Sequence, residues 1–381
     1  MTEVFFWISF LIIFYCYILY PLILMTIKKI HNLPVQISDI TPTVSIIISA
    51  YNEARIIKKN IENKLKLNYP RNKLEIIVIS DASNDGTDEI VREFTKHGVV
   101  LIQQTQRQGK TAALNKAVPI AKGEIICFAD ANSIWDENAL IKIIRNFADS
   151  KVGYVTGKMV YVNSAGNIIG DGCDAYMKYE NKLREFETQV GSIVGVDGGI
   201  DAVRRALYEP MNPDLLPDFV LPLKAIEKGY RVIYEPEAIL KEESLSNTKD
   251  EFKMRVRVIL RSLHALFYMK HLLNPLKFKI FAWQLLSHKV LRYFVWTFML
   301  LVFIMNLFLF NYGQIYGLMM YLQIIFYILV ILGVISEKRD FRIKKITYIP
   351  YYFFLVNLSS AVAFFKFLKG ENTVIWQPRK G

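Results

Sequence analysis

Cysteine is scarce in this 381-residue chain: Cys16, Cys127 and Cys173 are the only three, and no two of them form a CxxC pair. That scarcity argues against a disulfide-stapled secreted domain and against a cysteine zinc site. No GxGxxG follows the first strand-like run, so a dinucleotide-binding fold lacks its fingerprint. Gly109-Lys110-Thr111 looks like the end of a phosphate loop, but the glycine required five places earlier is Gln104. Acidic residues are outnumbered, with 35 Asp and Glu against 47 Lys and Arg, a formal net charge of +12. Such an excess suits nucleic acid, a membrane surface or an anionic substrate. Nucleic acid is disfavoured, because much of the charge flanks long apolar runs and most aromatics sit inside those runs.

Apolar residues are abundant: 52% of the chain is hydrophobic, 13% is aromatic, and the mean hydropathy is +0.24. They concentrate at the two ends. Val4 to Ile27 holds 24 residues without a charge, which as a helix would span about 36 Å, enough to cross a bilayer. It is too long for a signal-peptide core and ends at Pro21 and Lys28-Lys29 without a small-residue cleavage site, so a retained anchor is expected. Val290–Phe310, Gln314–Ile335 and Thr347–Leu368 are three further candidate spans. The expected division is an anchor at 1–28, a central domain at 42–240, interfacial helices at 241–289, membrane helices at 290–368 and a tail at 369–381. The positive-inside rule puts Lys28-Lys29, the central domain, Lys289, Arg292 and the charged loop 337–345 in the cytoplasm, with the turn Asn311–Gly313 outside. Four spans would then also place Lys366, Lys369, Arg379 and Lys380 outside, so the last segment is re-entrant or interfacial, or the rule is weak there. Phe278–Leu291 reads either as an amphipathic helix under the headgroups or as the start of the next span.

Between these ends the pattern changes. Val44–Ile48, Glu75–Ile79, Val99–Ile102 and Glu124–Phe128 are short apolar runs separated by helix-like segments. That alternation predicts an α/β domain with a mostly parallel sheet covered on both faces. Ligands of such sheets bind outside the carboxyl ends of the strands. Here those ends carry Asn52-Glu53, Asp81 and Asp85, Lys110, and Asp130 with Asn132.

Each group admits two readings. Asp81 could accept a hydrogen bond from a base such as uracil, in a pocket shaped by Tyr51 and Glu53, or could cap a turn in a segment rich in turn formers. Asp130 and Asn132, two apart at a strand end, could offer oxygens to Mg²⁺ or Mn²⁺ bound also to a diphosphate, or Asn132 could cap a helix over Asp136–Phe147. Asp218 precedes an expected helix at Leu223–Lys228 and could be a general base for an acceptor hydroxyl or a charge complementing the helix dipole. Arg255, Arg257 and Arg261 lie beside an apolar stripe within Glu251–Leu272 and could grip a pyrophosphate or meet anionic lipid headgroups. A strand is expected at Gly229–Tyr234.

In order, the segments VSIIISAYNE (44–53), DASNDGT (81–87), QGKTAALN (108–115), DAN (130–132) and DFVLP (218–222) resemble the family 2 glycosyltransferases. These are the inverting, membrane-embedded group that includes cellulose, hyaluronan and poly-N-acetylglucosamine synthases. The match runs from about Val44 to Leu266. It implies a GT-A (Rossmann-like) cytoplasmic domain with one N-terminal and about three C-terminal transmembrane helices, a multi-pass protein of the plasma membrane. It implies a nucleotide-sugar site at Ala50, Tyr51, Glu53, Asp81, Lys110 and Asp130, with Asp130 and Asn132 at a Mg²⁺ or Mn²⁺ ion. It implies Asp218 as catalytic base, Gly198 and Gly199 beside the acceptor, and Arg255 and Arg257 near acceptor or diphosphate. The reaction implied is one in-line displacement that inverts the anomeric carbon of a sugar, with UDP the expected nucleotide, onto a saccharide or lipid-linked acceptor in cell-surface polysaccharide synthesis. The chain departs from the family's pattern at Asn132, where Asp is usual, and at Pro217, where an acidic residue is common. The Gln-Arg-x-Arg-Trp motif of processive synthases aligns with Met254–Val258, which keeps both arginines but neither the glutamine nor the tryptophan. Limited transfer, or a synthase needing an export or polymerisation partner, is therefore expected ahead of a self-sufficient processive synthase. An inactive membrane scaffold or transport component is the non-enzyme alternative.

Overall fold

The computed structural model describes residues 1–162, 168–243, 248–338 and 344–372. Most of the charged loop expected at 337–345, and Arg379 and Lys380 of the tail, lie outside the described residues. Eight strands form one sheet: β1 (Val44–Ala50), β2 (Leu74–Ser80), β3 (Val99–Gln103), β4 (Ile125–Asp130), β5 (Ile134–Trp135), β6 (Val152–Val162), β7 (Asp201–Arg204) and β8 (Arg231–Glu243). Their order is β3-β2-β1-β4-β7-β6-β8-β5. The first four are mutually parallel. The others make the sheet mixed, since β7 runs antiparallel to both β4 and β6, β6 pairs parallel with β8, and β5 is antiparallel to β8.

The uninterrupted apolar runs follow from burial on both faces. Ile46, Ile48, Ile76 and Val78 enter one core cluster, while Ile47, Ile77 and Ile79 enter the other. Alternate side chains of a strand face opposite ways, so strands with two covered faces have no polar alternation. Helices Ile57–Leu65, Thr87–Glu93 and Lys110–Ala117 supply those covers. Chain order moves outward from β1 through β2 to β3, then returns to place β4 on the other side of β1. That reversal opens a crevice at the carboxyl ends of β1 and β4, where Ser49 pairs with Asp130.

Several boundaries differ from expectation for identifiable reasons. The helix expected at Leu223–Lys228 begins at Pro217 and runs to Glu227. Pro217 is tolerated in the first turn because its missing N–H needs no helical partner, and Pro222 fails to donate only to the Asp218 carbonyl. The helix after β2, expected from the sequence to run to about Lys96, stops at Glu93 and gives way to a 3-10 turn over Thr95–His97. The strand expected at Gly229–Tyr234 begins at Arg231 and continues to Glu243 alongside β6.

Among the described residues, three helices are long and apolar enough to cross a membrane: Thr2–Ile30, Gln314–Glu337 and Ile346–Leu368. Pro21 does not end the first of them. A π-turn over Tyr15–Leu19 precedes it, and the Tyr17 carbonyl, which Pro21 cannot serve, accepts the Tyr179 hydroxyl at 3.0 Å. The straight span expected at Val290–Phe310 is instead part of a bent pair, Pro275–Tyr293 and Val295–Leu309, with a 58° break at Phe294. At 1.5 Å per residue the second arm is about 22 Å long, short of a bilayer core on its own.

Candidate active site

The carboxyl edge of the sheet is knitted by strained turns. Asn52, just after β1, and Ala82, just after β2, both have positive φ, at 54° and 60°. Non-glycine residues rarely hold that conformation unless their surroundings fix it. Asn52 is fixed on both sides: its N–H donates to Ser83 Oγ at 3.1 Å, and its Oδ1 accepts the Asn84 N–H at 2.9 Å.

Asp81 is buried beneath the segment that leads into Lys110. Its Oδ1 accepts from Gln104 Nε2 and from the Gln108 N–H, and its Oδ2 accepts the Gly109 N–H, each at 2.8 Å. Tyr51 lies under the Arg107 guanidinium, whose carbon sits 3.6 Å from the ring centroid. The Ala50 carbonyl accepts the Asp81 N–H at 2.9 Å. Ala50, Tyr51 and Asp81 thus cluster as expected, but they support the 104–110 loop and do not line the open cavity.

Lys110 begins the helix Lys110–Ala117 and points back over the sheet edge. Its ammonium lies 2.8 Å from Asp130 Oδ1 and 3.1 Å from both Asp218 oxygens. Burial alone would depress its basicity, but Asp130 and then Asp218 reverse that and hold the ammonium well above the ordinary lysine range. Asp218 occupies the first turn of its helix, where the dipole favours a carboxylate. The position suits a charge complementing the helix dipole and leaves the carboxylate facing Lys110. A Cβ on Gly198 would come within 3.1 Å of Asp218 Oδ2, and its φ of +77° also favours glycine, so the loop approaches the carboxylate as close backbone. Gly199 packs against Ser133, and its carbonyl accepts Trp135 Nε1 at 2.8 Å.

Asn132 does not cap the following helix, which starts at Ala139 behind Asn138. Its Nδ2 donates to Glu242 Oε1 at 2.7 Å. Glu242, on the unforeseen extension of β8, thus brings a carboxylate beside the Asp-Ala-Asn turn. No local signal marked it, because it depends on pairing between β6 and β8. Asp130, Asn132, Glu242 and Glu53 all line the same cavity. Among the described residues, no group of three or more His, Cys, Asp or Glu is arranged as a complete metal site. The oxygen donors of Asp130, Asn132 and Glu242 nevertheless fit a hard divalent cation that takes its remaining ligands from phosphates and water.

Two further charges shape the site. Asp201 on β7 is fully buried beside Tyr154, Thr156 and Asp218, and burial first, then the Asp218 charge, pushes its carboxyl up to about 8. Arg261 is buried and clips the helix Thr248–Tyr268 to the Leu215 carbonyl at 2.7 Å, an acceptor shared with Thr111 Oγ1 at 2.8 Å. It therefore braces the segments carrying Asp218 and Lys110. Arg255 bonds Glu251 at 2.8 Å and also meets Tyr352, while both Arg255 and Arg257 line the cavity.

The cavity measures about 350 Å³, within the usual range for a small-molecule site. It runs from Ser49, Lys110, Asp130 and Asp218 to Tyr17, Arg292, Val356 and Ser360 on the candidate spans and the bent pair. A twisted α/β sheet with acidic residues at its switch point is the GT-A-like architecture. Residues 45–209 match the model of Glycosyl transferase family 2. It is 28% identical to a probable glycosyltransferase, YdaM, of Bacillus subtilis (strain 168), over 60% of this chain and 59% of that protein. It is 31% identical to a beta-monoglucosyldiacylglycerol synthase of Nostoc sp. (strain PCC 7120), over 48% of this chain and 42% of that protein. The chain therefore spans about three-fifths or less of the lengths of these two relatives. Its fold is shared with the mannosyltransferase PcManGT from Pyrobaculum calidifontis, solved in complex with GDP-Man and Mn²⁺, at a TM-score of 0.71 and 22% identity, covering 97% of this chain and 100% of that one.

Proposed function

We propose that the chain is an inverting glycosyltransferase that moves a sugar from a nucleotide-sugar, with UDP the expected nucleotide, to a saccharide or lipid-linked acceptor at the cytoplasmic face of the plasma membrane. The observation that carries this reading is the Lys110 ammonium suspended between Asp130 and Asp218 at the sheet's switch point. An in-line displacement needs a base on the acceptor side and positive charge on the leaving-group side. Asp218 accepts the acceptor hydroxyl proton while the hydroxyl oxygen forms its bond to the anomeric carbon. The bond from that carbon to the diphosphate breaks, and the nucleoside diphosphate departs. Lys110 then has a second anion within reach, the diphosphate, and Arg255 and Arg257 line the same space. Mg²⁺ or Mn²⁺ held by Asp130 and Asn132, with Glu242 beside them, would supply Lewis-acid neutralisation of that diphosphate.

A relative named for glucosyldiacylglycerol synthesis supports a lipid acceptor. The three long apolar helices support a membrane setting. Purified protein should release nucleoside diphosphate from a matched nucleotide-sugar and label a saccharide or lipid acceptor. Retained transfer in both Asp218→Asn and Asp130→Ala would refute the assignment of the chemistry. Sizing the labelled product separates limited transfer from processive synthesis.

A further inference from the structure

Lys289 is half-buried and lines the cavity, yet among the described residues it makes no hydrogen bond or ion pair. Its place is provided by Gly195: a side chain there would overlap Lys289 Nζ and Cε. The nearby carboxylates are already committed. Glu180 accepts from Arg292 Nη1 at 2.6 Å and lies 3.0 Å from His288 Nε2. Asp197 is held by both terminal nitrogens of Arg184. Burial opposes the Glu180 charge, but Arg292 and His288, with a smaller contribution from Lys289, hold it well below the ordinary carboxylate range. Lys289 thus acts on Glu180 through its field without touching it. An unpaired ammonium in a half-enclosed site is costly, and within a candidate membrane segment it marks a binding function.

The surroundings define the missing anion. Tyr17 of Thr2–Ile30, Val356 and Ser360 of Ile346–Leu368, and Arg292 of the bent pair line the same cavity as Lys289. An anion that reaches Lys289 lies between candidate spans, so the rest of its molecule must run along apolar helices. The loop that seats Lys289 at Gly195 touches Asp218 three residues later, at Gly198. One loop therefore links the unpaired cation to the candidate base.

We propose that this end of the cavity binds the phosphate of a membrane lipid, with Lys289 as its counter-ion and Gly195 as the gap that admits it. The lipid's role as sugar acceptor rests on the transfer reading above, while the binding does not. A phosphate held at Lys289 would direct a hydroxyl of the same headgroup toward Asp218.

The test uses the full chain in detergent micelles, with thermal stability measured against dioctanoyl phosphatidylglycerol, dioctanoylglycerol and inorganic phosphate. A ligand that binds the folded state raises the apparent midpoint as its concentration rises. Phosphatidylglycerol should stabilise the protein, and dioctanoylglycerol should not. Lys289→Gln should weaken the apparent affinity about tenfold to a hundredfold, the range of one charged hydrogen bond, and Lys289→Arg should restore most of it. Equal responses to the two lipids, or wild-type affinity in a folded Lys289→Gln protein, would overturn the proposal. Stabilisation by inorganic phosphate equal to that by phosphatidylglycerol would overturn the lipid assignment in favour of a free-phosphate site. Nucleoside diphosphate release on the same preparation tests the transfer reading separately. Lipid binding without release would refute only the acceptor role.

Discussion

The two ends of the cavity carry similar charges and treat them in opposite ways. At the sheet edge Lys110 sits between two carboxylates, and Asp81 is satisfied by three donors. At the membrane-side end Arg292 is paired with Glu180, but Lys289 makes no hydrogen bond or ion pair among the described residues. The first end is neutralised within the protein, so on the reading proposed above a cation held at Asp130 would take the place of the ammonium and leave Lys110 to meet a diphosphate. The difference is between charges paired within the fold and a cation that makes no ion pair among the described residues.

The largest effect should come from removing the base. Asp218→Asn keeps shape and polarity but cannot take the acceptor proton, and transfer should fall about 10²- to 10⁴-fold with donor affinity little changed. A kcat split from donor KM checks this; equal losses in both would make Asp218 a binding residue. Lys110→Met should come next, because it leaves Asp130 and Asp218 facing each other unscreened. The fold should lose about 1–3 kcal/mol, less than a fully buried pair because the Asp130 side chain is 37% exposed. Chemical denaturation reads this loss, and added Mn²⁺ should return part of it if a cation can take the ammonium's place.

Asn132→Asp sharpens the comparison from the metal side. It replaces a donor to Glu242 with a second carboxylate only 2.7 Å away. Without metal the two repel. With Mn²⁺ they supply more charge to a hard cation, so the concentration for half-maximal thermal stabilisation should fall by about tenfold. An unchanged metal response would remove Asn132 from the metal's surroundings.

The parallel half of the sheet was legible because each β-branched run ends in a polar turn, a pattern set by local burial. Asp130, Lys110 and Asp218 could be singled out for the same reason: each follows or opens a regular element. What those groups touch was not legible. Gly195 reads as an ordinary loop glycine until Lys289, 94 positions later in the chain, fills the space beside it. Glu242 acquires meaning only through the register of β8 on β6, and the break at Phe294 lies inside an apolar run with no proline to announce it. Hydropathy reports how much apolar surface a segment has, whereas the bend depends on what packs around it.

Asp201 is the exception at the neutralised end, and its effect should show in the pH dependence of stability alone. It is fully buried beside Tyr154 and Thr156. Burial and the neighbouring Asp218 raise its carboxyl to about 8. The folded protein therefore keeps this proton at pH values where the unfolded chain, with an ordinary aspartate near 3.9, has released it. With more protons bound to the native state, stability declines as pH rises from about 4 toward 8, by at most about 1.4 kcal/mol per pH unit from this group. Asp201→Asn abolishes that term, so the variant's stability should gain on the wild type steadily between pH 5 and 8. Parallel pH profiles for the two proteins would show that Asp201 is ionised throughout, paired with a cation at the site. The contrast between a self-neutralised sheet edge and an open membrane-side end would then need a cation bound at both.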